Sequence, residues 1–178
     1  MSKITAAIES NPLVAWVVSV LAFIKGIFAL MVDHADDAAK VFGVFATIFA
    51  MVAFIGIGIA QGAIDRAMAI AENKIGVGSN TALRERPTFH IGLADAVALV
   101  RGSRAWMQDA LRDFGEFVAR GEEVSTAARS NMLLAATKAV HNCARATDTM
   151  YTLVGAAANY RSNPLQRALR DAHGATQH

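Results

Sequence analysis

Proline is nearly absent from this chain, with three in 178 residues, and that limits its fold more than any other feature. Proline breaks helices because it lacks an N–H and clashes with the preceding turn. Long stretches without it are therefore free to stay helical. Here they are filled with alanine, leucine and methionine, which favour helix. No apolar–polar alternation of the strand kind is sustained anywhere. The chain is expected to be all-α.

Composition then narrows the functional classes. The length fits one domain with a substantial core. Apolar residues make up 54% and charged residues only 18%, which is greasy for a soluble protein. The 17 basic and 15 acidic residues nearly balance, and no Lys/Arg block stands out. A nucleic-acid partner is therefore not expected. Cys143 is the single cysteine, so an intrachain disulfide is excluded. It lies among alanines on an expected helix, and His141, two positions away, would point elsewhere. It reads as a small buried hydrophobe.

The two halves differ in character. Leu13 to Val32 is apolar apart from Ser19, Lys25 and Gly26, and Val41 to Ala60 is apolar apart from Thr47. Each approaches the ~20 residues that span a bilayer. The acidic link Asp33 to Lys40 separates them, and Arg66, Lys74, Arg84 and Arg86 follow. One reading of residues 13–60 is a membrane hairpin with both termini cytoplasmic. Lys25 would then cost a few kcal/mol unless it snorkels or pairs. A second reading is a pair of helices buried in a soluble bundle, which are also apolar all round. A third is a signal segment, although Lys3 is offset by Glu9 and no clean cleavage site follows. The expected division is residues 1–40, an apolar helix and acidic link, and residues 41–178, a bundle.

The second half has clear punctuation. Val77 to Asn80 reads as a turn, and Pro87 opens a helix at its favoured first position. That helix should reach about Arg120, with an inward stripe of Leu93, Val97, Val100, Met107, Leu111, Phe114 and Val118. Gly121 to Glu123 breaks it. Ser125 can cap a helix from about Thr126 to Val154, whose alanine content suits a central position, and Gly155 ends it. Asn163 and Pro164 then cap and open a last helix. Short links imply antiparallel neighbours and an up-and-down four-helix bundle, preceded by an extra apolar helix.

Four stretches in this order carry a family resemblance. They are GIGIAQGAIDRAMAIA from Gly56, LRERPTFHIGLADAVALVRGSRAWMQDA from Leu83, AARSNMLLAATKAVHNCARATDTMYTLVGAAANY from Ala127, and SNPLQRALRDAH from Ser162. Together, from about Val52 to His178, they resemble the C-terminal helical domain of the acyl-CoA dehydrogenase superfamily. SNPLQR and RDAH resemble its reduced-flavin-dependent monooxygenase branch. The resemblance implies a homotetrameric flavoprotein whose helical domain forms the oligomer core and covers one side of a flavin, FMN or FAD. Reduced flavin would be supplied by a flavin reductase partner, with oxygen as co-substrate and an aromatic or heterocyclic compound as substrate. The cofactor supplies the chemistry, while the protein orients substrate and excludes water.

The resemblance also assigns residues. His178 falls where the last helix of such proteins approaches flavin and substrate, and is the first candidate for a base or hydrogen-bond donor. The alternative is a solvated terminal histidine. His173 is the second candidate, with a packing role beside Arg170 as its alternative. Arg84 and Arg86 match arginines that reach the phosphate of a flavin held by a neighbouring subunit, a role suited to paired guanidinium hydrogen bonds. A solvated loop is the alternative. Gly155 lies in a loop that nears a neighbour's flavin in dehydrogenases. There a glutamine precedes paired glycines by three residues, whereas this chain has Thr152, Gly155 and Ala156. Arg167 and Asp171, four apart, can pair along the helix. His173 and His178 would point about 140° apart on a helix, and no Glu-x-x-His pair exists. No metal site is expected.

The relatives carry an N-terminal helical domain and a middle β-domain that have no counterpart here. Three readings stay open: a fragment or mispredicted frame of a flavin monooxygenase, a fusion of a membrane hairpin to a bundle, or a non-catalytic helical interaction module. The expected location is the cytoplasm, or the inner membrane under the hairpin reading.

Overall fold

The structure is a computed structural model that describes residues 22, 25, 37–76 and 80–177. Among the described residues, the framework is made by four α-helices: α1 (Asp37–Asn73), α2 (Pro87–Ala119), α3 (Thr126–Val154) and α4 (Pro164–Ala175). A 3₁₀ turn, Leu83–Glu85, precedes α2, and another, Gly155–Asn159, follows α3. Among the described residues the only β pairing is an isolated antiparallel bridge between Ile75 and Ala82. The fold is the all-α bundle that the sequence predicts.

The core shows why these segments pack as they do. Along α1 a buried seam runs through Ala46, Ala50, Ala53, Ile57, Ala60, Ile64, Ala67 and Ala71, with Ala63 buried beside it. The steps alternate four and three. The same alternation runs through Ala96, Val100, Ser103, Met107, Ala110 and Phe114 of α2, and through Met132, Ala136, Ala139, Cys143, Ala146 and Met150 of α3. A repeat averaging 3.5 residues keeps one seam against its neighbour in a left-handed coil. Alanine at so many of these positions lets backbones approach closely. Gly56 continues the pattern, since a Cβ there would lie 3.7 Å from the Val140 Cα. Helix α3 touches all three other helices, the central position expected from its small side chains. Of the expected inward stripe on α2, Val100, Met107, Leu111 and Phe114 are buried, while Leu93, Val97 and Val118 are half-buried.

The ends follow local chemistry. The Ser125 hydroxyl accepts from the Ala128 N–H at 3.1 Å, taking up one of the free donors of a helix start. Asn163 accepts from the Leu165 N–H at 3.0 Å, and its amide donates to the Ala157 carbonyl at 2.8 Å. It thus caps α4 and ties it to the preceding turn. Gly155 ends α3 at φ 67°, ψ −150°, a region open only to glycine. Lys74 donates to the Val154 carbonyl, placing a cation at the negative end of α3.

Helix α1 is continuous from Asp37 and crosses residues 40 and 41 without a break. Its stretch Phe42–Asn73 is long and apolar enough to cross a bilayer by length and composition alone, with mean hydropathy 2.4. The same helix supplies one wall of the bundle core. Residues 77–79, most of the expected turn before α2, lie outside the described residues, as do Trp16 and His34.

Candidate functional site

The residues singled out in the sequence fall into two groups at different levels of the bundle. The first gathers where α1 ends, α2 begins and α3 ends. Lys74 bonds to the Val154 carbonyl here, and the Leu83 N–H donates to the Lys74 carbonyl at 2.8 Å. The Arg86 guanidinium lies so close to Gly76 that a Cβ there would sit 2.5 Å from one of its nitrogens. Arg86 is half-buried and is also the residue that precedes α2. Arg84 is exposed on the 3₁₀ turn, 3.8 Å from Glu85. Gly155 completes this end, with Lys74 Nζ 4.0 Å from where its Cβ would be. Arg84, Arg86 and Gly155 are thus brought together although 69 to 71 residues separate them in sequence. Lys74 joins them, and its role was not legible in the sequence.

The second group lies along α3, where the last turn of α4 returns beside it. His173 Nε2 sits 2.7 Å from Asp148 Oδ1, both groups half in solvent. The sequence places His173 beside Arg170, but its partner is an acidic residue on another helix. No spacing rule within one helix predicts a contact of this kind. Arg167 and Asp171 pair at 3.4 Å along α4, as expected. Below the His173 pair an apolar groove of about 90 Å³ opens. Ile48, Phe49 and Val52 of α1 form one side, and Ala136, Thr137, Val140 and His141 of α3 another. Ala175 and Thr176, at the end of α4, close it. His141 is exposed there and is the one ionisable group in the lining. His90, the other helical histidine, is exposed on α2 with its ring edge-on to Phe89. His178 lies outside the described residues. Helix α4 ends at Ala175, and the Thr176 N–H closes onto the His173 carbonyl at 3.1 Å.

Cys143 takes no part in either group. It is buried on the core face of α3, and burial pushes its thiol up to about 12 against the opposing pull of the Arg104 guanidinium. A thiol held protonated is not a nucleophile. Among the described residues, no three His, Cys, Asp or Glu side chains gather as a metal would require.

The distance between the groups follows from helix geometry. Val140 and Gly155 are fifteen residues apart on or at the end of α3, about 20 Å at 1.5 Å per residue. One end of the bundle therefore offers guanidinium groups, and its middle offers an apolar wall with a histidine.

Residues 50–178 match the family model for the acyl-CoA dehydrogenase C-terminal domain. This chain belongs to that family. Its relatives include indole-3-acetate monooxygenases from Pseudomonas putida, 31% identical over 124 residues, and Acinetobacter baumannii, 29% identical over the same length. Each alignment covers 70% of this chain and 32% of the relative, so the chain spans about a third of the length of these relatives. Among solved structures, XiaF from Streptomyces sp., in complex with FADH2 and glycerol, superposes with a TM-score of 0.72 at 22% identity, covering 76% of this chain and 35% of XiaF. The HsaA monooxygenase from M. tuberculosis superposes at 0.65 and 20% identity, covering 75% and 33%. At these identities the two likenesses establish the fold: a helical module that is one part of larger proteins.

Proposed function

We propose that this chain is the helical wall of a flavin-dependent monooxygenase site and is inactive alone. The observation that carries the reading is the groove between α1, α3 and the end of α4. An apolar surface with a few polar groups, here His141 and the hydroxyls of Thr137 and Thr176, is the form that pockets for largely apolar ligands take. Two positions beyond Thr176 in sequence stands His178, the residue for which the family resemblance implies contact with flavin and substrate. The monooxygenase relatives, and the reduced flavin bound to XiaF, support the same reading.

The residues present fit a flavin in two places. The groove suits an apolar ring system, and the guanidinium groups of Arg84 and Arg86 suit a phosphate through charge-assisted hydrogen bonds. When bound, reduced flavin would supply the reaction with oxygen. This chain would contribute orientation, exclusion of water and a group to take up a proton. His178 is assigned to take a proton from, or hydrogen-bond to, an aromatic substrate. His141 is placed to orient that substrate from the α3 side. His173, fastened to Asp148, holds the last turn of α4 in place and is a positioning residue. Because the two fitting surfaces lie about 20 Å apart along α3, Arg84 and Arg86 are assigned to the phosphate of a flavin held by another subunit of a homo-oligomer. A tetramer, a flavin reductase partner and a cytoplasmic location complete the proposal.

The test is a chimera in which residues 50–178 replace the corresponding helical segment of the Pseudomonas putida relative. With reduced flavin and an aromatic substrate, the chimera should consume oxygen in a substrate-dependent way. The 178-residue chain alone should not. His178→Ala in the chimera should lower turnover by roughly 10²–10⁴-fold, the usual contribution of a positioned acid or base. Full turnover by the isolated chain would sink the proposal, as would an indifferent His178→Ala.

A further inference from the structure

We infer that Lys74 and Gly76 are positioning residues that aim the Arg86 guanidinium at a phosphate. The lysine ties the arginine-bearing turn to the end of α3, and the glycine leaves the space that the guanidinium fills. This role rests on the reading of Arg86 as a ligand of the flavin phosphate. Lys74 is fixed at three atoms. Its N–H donates to the Ile70 carbonyl at 3.1 Å, and its carbonyl accepts from the Leu83 N–H at 2.8 Å. Its ammonium donates to the Val154 carbonyl. The bridge between Ile75 and Ala82 continues the pairing one residue further on. One residue therefore links the end of α1, the turn that carries Arg84 and Arg86, and the residue before Gly155.

The backbone of Arg86 is fixed on both sides. Its N–H donates to the Leu83 carbonyl at 3.1 Å, and its carbonyl accepts from the N–H groups of Phe89 and His90 at 3.0 and 3.3 Å. Leu83 and Phe89 are in turn buried together with Ala71. From this frame the side chain reaches Gly76. The three heavy atoms nearest to where a Gly76 Cβ would sit all belong to the Arg86 guanidinium: Nη2 at 2.5 Å, and Cζ and Nη1 at 3.3 Å. Good contact between non-bonded carbon atoms needs about 3.5–4.0 Å. The guanidinium thus occupies the space that a side chain at position 76 would take.

Arg86 is held but not paired. It is half-buried, and among the described residues no carboxylate or carbonyl accepts from its guanidinium. Its side-chain N–H donors remain available. Partial burial of an unpaired cation costs free energy that an anion would offset. Arg84 is the contrast: it is exposed and 3.8 Å from Glu85, a pairing of little worth. Arg86 is therefore the arginine set in place before a ligand arrives, which lowers the ordering cost of binding. Gly76 has a φ outside the left-handed region, so alanine there adds no strain of that kind. It would meet only the far end of a flexible side chain.

Gly76→Ala in the 178-residue chain tests the aiming apart from the folding. Its urea midpoint should match that of the unaltered chain, because only a side-chain tip must move. The Arg86 Nε–Hε signal in nitrogen-15 NMR spectra, identified by its loss in Arg86→Lys, should shift and exchange with water severalfold faster. Lys74→Met should displace the same signal. Lys74→Arg, which restores a donor for the Val154 carbonyl, should reverse most of that change. Pyrophosphate titration gives a second readout. Gly76→Ala should weaken binding on the order of tenfold, the loss of one charge-assisted hydrogen bond, as much as Arg86→Ala does and more than Arg84→Ala. An Arg86 signal unmoved by Gly76→Ala would overturn the positioning role, as would a moved signal with pyrophosphate affinity unchanged. A lowered urea midpoint would mark Gly76 as a packing residue and overturn it too. If the unaltered chain binds no pyrophosphate while Gly76→Ala still displaces the signal, the phosphate reading fails and the positioning of Arg86 stands.

Discussion

At the scale of single residues, burial and backbone geometry set the sharpest expectations. In the unfolded chain the Cys143 thiol loses its proton from about its ordinary value of 9.0, whereas in the fold burial delays that loss to about 12. Between those limits the unfolded state binds fewer protons than the folded one. Stability therefore falls as pH rises through this window, by about 1.4 kcal/mol per unit. Urea titrations from pH 8 to 10.5 should show stability nearly flat at first and then falling toward this slope above about pH 9, and Cys143→Ala should flatten the fall. Gly155 is the other such residue. Its φ of 67° with ψ −150° excludes a Cβ, and Gly155→Ala should cost about 1–3 kcal/mol in the same assay. The His173–Asp148 pair behaves differently. Both partners are half in solvent, so Asp148→Ala should shift stability by less than about 1 kcal/mol, leaving any loss of turnover in the chimera to be read as lost positioning.

At the scale of elements, the caps and the seams carry the fold. Ser125 makes one capping bond, so Ser125→Ala should cost about 1 kcal/mol. Asn163 makes two, one of them to the Ala157 carbonyl, and Asn163→Ala should cost more than Ser125→Ala by thermal unfolding. These boundaries were legible because each rests on a residue with a local reason to be there: Pro87, Ser125, Gly155 and Asn163. The stripe on α2 was legible in part, because large residues mark a face. The alanine seams of α1 and α3 were not, since in an apolar stretch alanine looks alike on every side and only the neighbouring helix chooses the buried one. The site was legible only as residue types. That Arg86 lies against Gly76, that Lys74 caps α3, and that His173 meets Asp148 all depend on contacts between distant segments, which no local pattern records.

At the scale of the whole molecule, the separation between the arginine end and the groove makes a prediction that no single residue could. If one flavin were held by one chain alone, Arg84, Arg86 and His178 would have to serve it together, and damage to either set would be confined to the damaged subunit. If each flavin lies between subunits, the two sets belong to different chains at every site. Two inactive chimeras, Arg84→Ala/Arg86→Ala and His178→Ala, distinguish these cases. Unfolded and refolded together, they form mixed oligomers in which some sites draw intact arginines from one parent and an intact histidine from the other. Substrate-dependent oxygen uptake should then reappear in the mixture at a fraction of the unsubstituted rate, although neither parent shows it. Two guanidinium contacts at about 1.5–3 kcal/mol each are enough to make the arginine parent bind flavin at least tenfold more weakly. Size-exclusion chromatography must show mixed assemblies first. With mixing established, silence from the mixed oligomers would mean that the arginines and the histidine act within one chain, and the shared-site assignment would fall.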